Sequence, residues 1–401
     1  MVNLIQYLSF ALFLLALPVQ GSTQSVFWDS PEAYLGQARP SDTPRIFAPG
    51  LLTEPGHFNF TTGRIAFTPD GKEVYYAINT QWYSGKDLKL KYFIYDQMGW
   101  KGPRLLNAHY STPTFSPDGS KLFLAGGGKA GVIWQSKRTD TGWSAPVEYL
   151  QRSYALYNFI ETASGNRYVG SNGTWGKMQD MNAWDFSILS NTDTTIRSLG
   201  VPLNTPGFDG DFFIATDESF MVVSAKETKD NQCELYISYR KKDHSWTNPK
   251  SLGTLINDGP AHRWGEYVTP DNKYLFYTRG TSEKDCAIYW VRFDDLLDRF
   301  RHTNFEPYVK TPIADQAAQS GHPLHLTISP DVFVDDDGNH TLKISAALED
   351  GSPLPDWLRF RASNRTFSGT PANPGSYHIR ITATDTAGAT VSTDFTLKVN
   401  G

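Results

Sequence analysis

A short phrase returns five times along the chain, and its spacing limits the folds available. It reads Phe67-Thr-Pro-Asp-Gly71, Phe115-Ser-Pro-Asp-Gly119, Thr162-Ala-Ser-Gly165, Ile214-Ala-Thr-Asp217 and Val268-Thr-Pro-Asp-Asn272. The anchors Asp70, Asp118, Gly165, Asp217 and Asp271 lie 48, 47, 52 and 54 residues apart. An apolar alternating run follows each one, as in Val74-Tyr-Tyr and Tyr274-Leu-Phe-Tyr. Proline presets one dihedral of a tight turn and Asp-Gly tolerates the others. A period near 50 made of such turns and short strands predicts an all-β chain with a β-propeller.

Each repeat reads as four strands. In the second these are His109 to Phe115, Lys121 to Ala125, Gly131 to Lys137 and Trp143 to Leu150. The outermost carries Trp followed three residues later by Pro: Trp100/Pro103, Trp143/Pro146 and Trp246/Pro249. Proline lacks a ladder donor and belongs on an edge. Arg45-Ile46-Phe-Ala-Pro49 has the same outer-strand pattern, with Ile46 in the Trp place, yet it precedes the first repeat. The fifth repeat has no outer strand after Tyr289-Trp-Val-Arg292. The economical expectation is ring closure, the N-terminal strand completing a five-bladed propeller over about 27–303. Six blades would need an unrecognised repeat. Closure also removes sheet edges prone to aggregation.

The flanks read differently. Residues 1–21 carry no charged side chain, and Leu4 to Leu17 is an almost continuous apolar run. This predicts a cleaved secretory signal peptide, with an uncleaved membrane anchor as the alternative. No other segment is apolar enough to span a bilayer, so the mature chain is expected to be exported: periplasmic, cell-surface or extracellular. Asp294 to Arg301 reads as a short helix, and 304–321 as a linker. From 322 to 401, evenly spaced alternating strands predict a small β-sandwich. Net charge is −5, and Lys and Arg are scattered, which excludes nucleic acid as a partner. Cys233 and Cys286 occupy the same place in neighbouring repeats, so they are expected to be unpaired thiols.

Through Phe-Ser-Pro-Asp-Gly and the apolar strand after it, about 275 residues of the chain, over 27–303, resemble the WD40-like repeats of TolB-type periplasmic proteins. The tail resembles the dystroglycan-type cadherin-like (Ig-like) domain of bacterial surface proteins. The matching residues are Phe333-Val-Asp335-Asp-Asp337-Gly338, Asp350 to Phe360, Phe367-Ser-Gly-Thr-Pro371, Gly375-Ser-Tyr377 and Thr382-Ala-Thr-Asp385. Such domains look like spacers or adhesion modules, and relatives often bind Ca²⁺. The resemblance carries that expectation to Asp335, Asp337 and Asp385, whose hard carboxylate oxygens suit the ion. The alternative is a solvated acidic turn.

Site candidates in the ring lie near the starts of inner strands. They are His57, His109, Tyr157, His262 and Arg263 for catalysis, and Tyr110, Asp209, Asp211, Trp264 and Glu266 for ligand binding. In a closed ring His57, His109 and His262 would share one sector. No Gly-x-Ser-x-Gly, His-Glu-x-x-His or phosphate loop occurs. The leading expectation is a monomeric, non-enzymatic scaffold that binds a glycan or a cell-envelope protein, with no cofactor besides the calcium. The rival is a polysaccharide lyase, as propeller-fold lyases use histidine and tyrosine in such funnels. There Tyr or His would abstract a proton and Arg263 would neutralise a uronate.

Overall fold

The computed structural model describes residues 26–53, 61–79, 88–171, 185–204, 210–225, 232–282 and 285–401. The leader expected at 1–21, His57 and Asp209 lie outside these residues. The repeat phrase sets the local geometry. In the first, second and fifth repeats the Asp carboxylate accepts from the hydroxyl two residues earlier (Thr68, Ser116, Thr269) and from the backbone N–H two residues later. The residue after the anchor then needs a left-handed backbone: Gly71, Gly119 and Asn272 have φ of 75°, 70° and 59°. Gly and Asn adopt this at least cost. In the fourth repeat the position is Glu218, at φ 60°. Its carboxylate is held by Thr162 Oγ1 (2.7 Å), Tyr168 OH (2.9 Å) and Asn166 Nδ2 (2.9 Å), all from the third repeat. The strained turn is thereby tied to the neighbouring sheet.

Among the described residues, the repeats form five antiparallel sheets. The first holds Thr61–Phe67, Glu73–Ile78, Lys89–Asp96 and Gly99–Ala108 in sequence order. The second holds Tyr110–Phe115, Lys121–Gly126, Val132–Thr139 and Val147–Gln151, with Gly142–Trp143 paired to its third strand. The third holds Leu156–Glu161, Arg167–Ser171, Asp185–Leu189 and Ile196–Ser198. The fourth holds Phe212–Ile214, Phe220–Ala225, Glu234–Tyr239 and Lys250–Ser251. The fifth holds His262–Val268, Tyr274–Gly280 and Ala287–Arg292, with Arg45–Ile46 as its outermost strand. The inner strands touch in cyclic order, each to the next and the fifth back to the first.

Arg45 pairs with Trp290 and Ile46 with Tyr289, so the expected closing strand is found. Phe47 N to Ile288 O and Arg292 N to Ser41 O, both 2.8 Å, extend the seam. A few backbone bonds contribute only about 1 kcal/mol each. Burial of aromatic rings contributes more, about 1.5–3 kcal/mol per side chain. Tyr34 and Phe47 are buried against Trp290 (centroids 5.5 and 5.1 Å) and against Phe67 of the first sheet (5.9 and 6.2 Å). The N-terminal segment is therefore a wedge of rings between the fifth and first sheets. Cys233 and Cys286, at equivalent places in the fourth and fifth sheets, are both buried thiols outside any disulfide.

The expected helix is present at Asp294–Arg301. The span 304–321 is not a bare linker. Gln316–Gln319 pairs in parallel with the last strand, Thr390–Asn400, and Tyr308–Val309 pairs with Phe333–Val334. A four-residue edge strand reading Gln-Ala-Ala-Gln has no large apolar side chain, so the sequence pattern conceals it. In the tail, Gln316–Gln319, Thr390–Asn400, Gly375–Thr384 and Lys343–Leu348 form one sheet. Leu324–Thr327, Thr366–Gly369 and Leu358–Arg361 form a second. Ile379, Ile381 and Ala383 alternate into the shared core with Phe367, Phe395 and Leu397.

Candidate functional site

Every sheet of the ring places one equivalent residue beside the axis, three positions before the first residue of its phrase or its counterpart. These residues are Arg64, Thr112, Asn158, Asp211 and Gly265. In the first, second, third and fifth sheets the ladder register shifts here. Thr112, Asn158 and Gly265 take φ of 53°, 45° and 66°. A bulge at this point re-aims the side chain that would otherwise lie in the sheet face.

Four of these positions, Arg64, Asn158, Asp211 and Gly265, converge. The Asn158 amide donates to Asp211 Oδ1, and Gly265 N–H donates to Asp211 Oδ2 (2.8 Å). Arg64 Nη2 donates to the Phe212 carbonyl. The first and fourth sheets are not neighbours in the ring, so this last bond crosses the axis. Glu266 joins from the fifth sheet and is 0% exposed. Burial and the neighbouring Asp211 charge push its carboxyl well above the usual range, and Arg64 pulls it only partly back. Burial also raises Asp211, against which Arg64, Gly265 and Asn158 act. Burial lowers the Arg64 guanidinium.

The other ring candidates separate. Tyr157 lies beside the axial cluster, its hydroxyl donating to the Gly210 carbonyl (2.8 Å). His262 is buried, its Nδ1 3.3 Å from Cys233 Sγ and its ring against Trp264 at 4.4 Å. His109 is exposed at the head of the second sheet, next to half-buried Tyr110, which meets Trp134 edge-on at 5.7 Å. Burial raises the Tyr110 hydroxyl. Of the three-histidine sector, His109 and His262 thus stand on the second and fifth sheets, with the first between them.

Arg263 does not suit the role of neutralising a uronate. It is 1% exposed. Its N–H groups are taken by the carbonyls of Ile256, Cys233, Ala261, Asp258 and Gly259 and by the Asp258 carboxylate. The side chain organises the loop before its own strand. Sequence reasoning missed Arg64 and Asn158. The usable signal was their place in the repeat, where a polar side chain interrupts an apolar inner strand.

In the tail, Asp335 is 5% exposed; its Oδ1 accepts from Asp337 N (2.8 Å) and its Oδ2 has no hydrogen-bond partner. Burial first, then the charges of Asp337, Asp385 and Asp336, raises its carboxyl above the usual range. Asp337 accepts from Phe305 N (2.6 Å). Asp385 accepts from Asn304 Nδ2 and Ala389 N, both 2.8 Å. Burial alone would raise Asp385, but these donors hold it below its ordinary value. Among the described residues, no three His, Cys, Asp or Glu side chains are already placed to hold a metal ion together.

Asp336, between the two calcium candidates, faces the ring instead. It accepts from Lys241 Nζ (2.8 Å) and Asn248 N (2.6 Å) of the fourth sheet's outer hairpin. Lys250 adds to the junction by donating to the carbonyls of Phe300 (2.8 Å) and Thr303, with its ammonium 3.2 Å from the centre of the Phe305 ring. These two features make a second, interdomain seam.

Residues 306–400 match the sequence profile of the Putative Ig domain family. Among curated proteins, the chain is 35% identical over 89 residues to the serine-rich adhesin for platelets of Staphylococcus aureus. That match covers 22% of this chain and 4% of the adhesin. TolB from Acinetobacter baumannii is similar at a TM-score of 0.38 and 10% identity, over 57% of this chain and 53% of that one. The extracellular domain of a hybrid two-component system from B. thetaiotaomicron gives 0.35 and 9%, over 84% and 44%. An oligogalacturonate lyase in complex with manganese gives 0.33 and 13%, over 59% and 66%. The chain spans less than two thirds of each of these proteins, and structural likeness at this level carries no argument about activity.

Proposed function

We propose that this chain is an exported binding protein: a closed five-bladed propeller that presents one axial face to a glycan or cell-envelope protein, held at a set angle by the Ig-like module. The observation that carries this reading is where the module sits. Each inner strand starts at one end of the ring and runs toward its Asp-Gly turn at the other. Tyr110, Tyr157, His262 and Trp264 mark the starting end. The third strand runs the same way as the first. Its finish in the fourth sheet, at Tyr239 and Lys241, therefore belongs to the turn end. The helix Asp294–Arg301 follows a third strand and belongs there too. Tyr239 OH donates to Leu297 O (2.6 Å), and Lys241 binds Asp336. Among the described residues these attachments leave the starting end to a partner. The half-buried aromatic side chains of Tyr110 and Trp264 there suit stacking on sugars.

A glycan array probed with the full chain tests this reading. Binding that is weakened at least tenfold by Trp264→Ala, with the fold intact by circular dichroism, supports it. No binding to glycans and none to envelope extracts overturns it.

Within the same proposal, Asp335, Asp337 and Asp385 hold Ca²⁺ at the base of the module. The unpartnered Asp335 oxygen supports this, being a buried acceptor that only a cation or a donor can satisfy. The ion would draw Asp337 and Asp385 away from Phe305 N and Asn304. Millimolar calcium should raise the melting temperature of the wild type and leave that of Asp335→Asn unchanged. Equal shifts in both remove the ion from the proposal.

A further inference from the structure

The ring axis encloses one guanidinium and two carboxyls, and hydrogen bonds are divided unequally between the acids. Asp211 receives the Gly265 N–H and the Asn158 amide and faces Arg64. Glu266 is completely buried, and neither of its oxygens has a hydrogen-bond partner. The Ser224 hydroxyl, near enough to act on Glu266, is directed at the Asp211 carbonyl (3.2 Å). Arg64 Nε is also unpaired, so the guanidinium does not grip Glu266 in a two-bond fork. One cation cannot neutralise two carboxylates. Asp211 accepts from two donors, as an ionised acid does, whereas Glu266 has only the weaker influence of the Ser224 hydroxyl and its own N–H. A carboxylate buried in that state is among the most costly groups a fold can contain.

We propose that the ring axis is a proton-binding site in which Glu266 is a neutral carboxylic acid, and that loss of this proton loosens the contact among the first, fourth and fifth sheets. The step is a plain ionisation: the Glu266 O–H breaks, the proton leaves to solvent and the electron pair stays on the carboxylate. Asp211 and Glu266 then repel each other across a single Arg64. Arg64 from the first sheet and Asp211 at the head of the fourth are the charged groups acting on Glu266. Ser224, on the fourth sheet's second strand, is neutral. The sign follows from burial. The folded state holds the proton more tightly than the unfolded chain, so this contribution to stability is complete below the ordinary glutamate value of 4.5 and is lost as pH rises through the raised folded value. Gly265 adjoins Trp264, and Gly210, which accepts from Tyr157, adjoins Asp211. The loosening would therefore reach the proposed binding face, although the protonation itself does not depend on that face having a ligand.

The test is an infrared difference spectrum of the full chain, wild type minus Glu266→Gln, at neutral pH. The expected result is the carbonyl stretch of a protonated carboxyl, present only in the wild type. It should fade as pH is raised, with faster amide exchange in 61–67, 212–214 and 262–268. The unfolding constant of the wild type relative to E266Q should rise by up to tenfold per pH unit above the ordinary glutamate range. Parallel stability profiles, or no protonated-carboxyl band at neutral pH, overturn the proposal. If E266Q does not fold, the wild-type band alone decides: present at neutral pH and titrating upward supports it, absent overturns it.

Discussion

Replacing Asp336 with Ala should release the Ig-like module from the ring without unfolding either. The Asp336 side chain is 1% exposed and accepts from Lys241 Nζ at 2.8 Å and Asn248 N at 2.6 Å. Losing a charge-assisted bond to a partly buried backbone N–H costs about 1.5–3 kcal/mol. Lys241 is 28% exposed at its side chain and can regain water, so its share is about 0–1 kcal/mol. Relief of the buried carboxylate's desolvation offsets part of this, leaving about 2 kcal/mol. At about 1.4 kcal/mol per tenfold, the docking equilibrium should weaken roughly thirtyfold. Hydrogen exchange at the Asn248 amide reads the loss directly, because that N–H donates to Asp336. Its protection should fall by a similar factor, while amides in 375–384 keep theirs. Asp331→Ala, at an exposed acid of the same module, is the control. Unchanged Asn248 exchange together with a stability change below about 0.5 kcal/mol would show that Asp336 does not hold the junction.

Three further outcomes follow from the geometry. Gly170 lies under the Tyr157 ring, so Gly170→Ala should displace that ring and cost about 1–3 kcal/mol in urea unfolding; a neutral effect would mean the strut to Gly210 is dispensable. Trp290→Ala removes the ring against which Tyr34 and Phe47 pack and should cost about 3–5 kcal/mol, read as loss of protection in 287–292; a cost under 1 kcal/mol refutes closure by aromatic burial. Burial at the junction lowers Lys250 to about 8 from 10.5, with Asp337 and Asp336 opposing. The fold therefore disfavours its charge, and that contribution to stability is lost as pH falls from 10.5 through about 8. Lys250→Met should flatten the pH profile over this window, and an unchanged slope would assign the titration elsewhere.

The parts of the ring legible in the sequence were those with a local cause. Phe-Ser-Pro-Asp-Gly specifies its own turn, because the Asp carboxylate, the hydroxyl before it and the left-handed residue after it all lie within a few positions. Ile46 could be matched to the fifth sheet because it copies a pattern that the fifth repeat lacks. The strand Gln316–Gln319 was not legible, since an edge strand that contributes backbone bonds needs no apolar signature. Nor was the role of Asp336: beside Asp335 and Asp337 it reads as one more acid of a cation loop, yet its partners lie 88 and 95 positions away. Arg263 shows the converse, a conspicuous charge in a predicted funnel that folding turns inward onto carbonyls.

Sequence by itself determined how many turns recur, which strand faces are apolar and that a strand near the N-terminus was available for the last sheet. These depend on interactions between neighbours in the chain or on a periodic pattern. Tertiary structure decided which of the polar residues interrupting the inner strands would meet. Arg64 reaches the carbonyl of Phe212 across 148 positions; the repeat makes their places comparable but does not say which of the repeated positions touch. Only closing the circle brings them to the axis, where the exclusion of water makes the pairing of Arg64, Asp211 and Glu266 consequential.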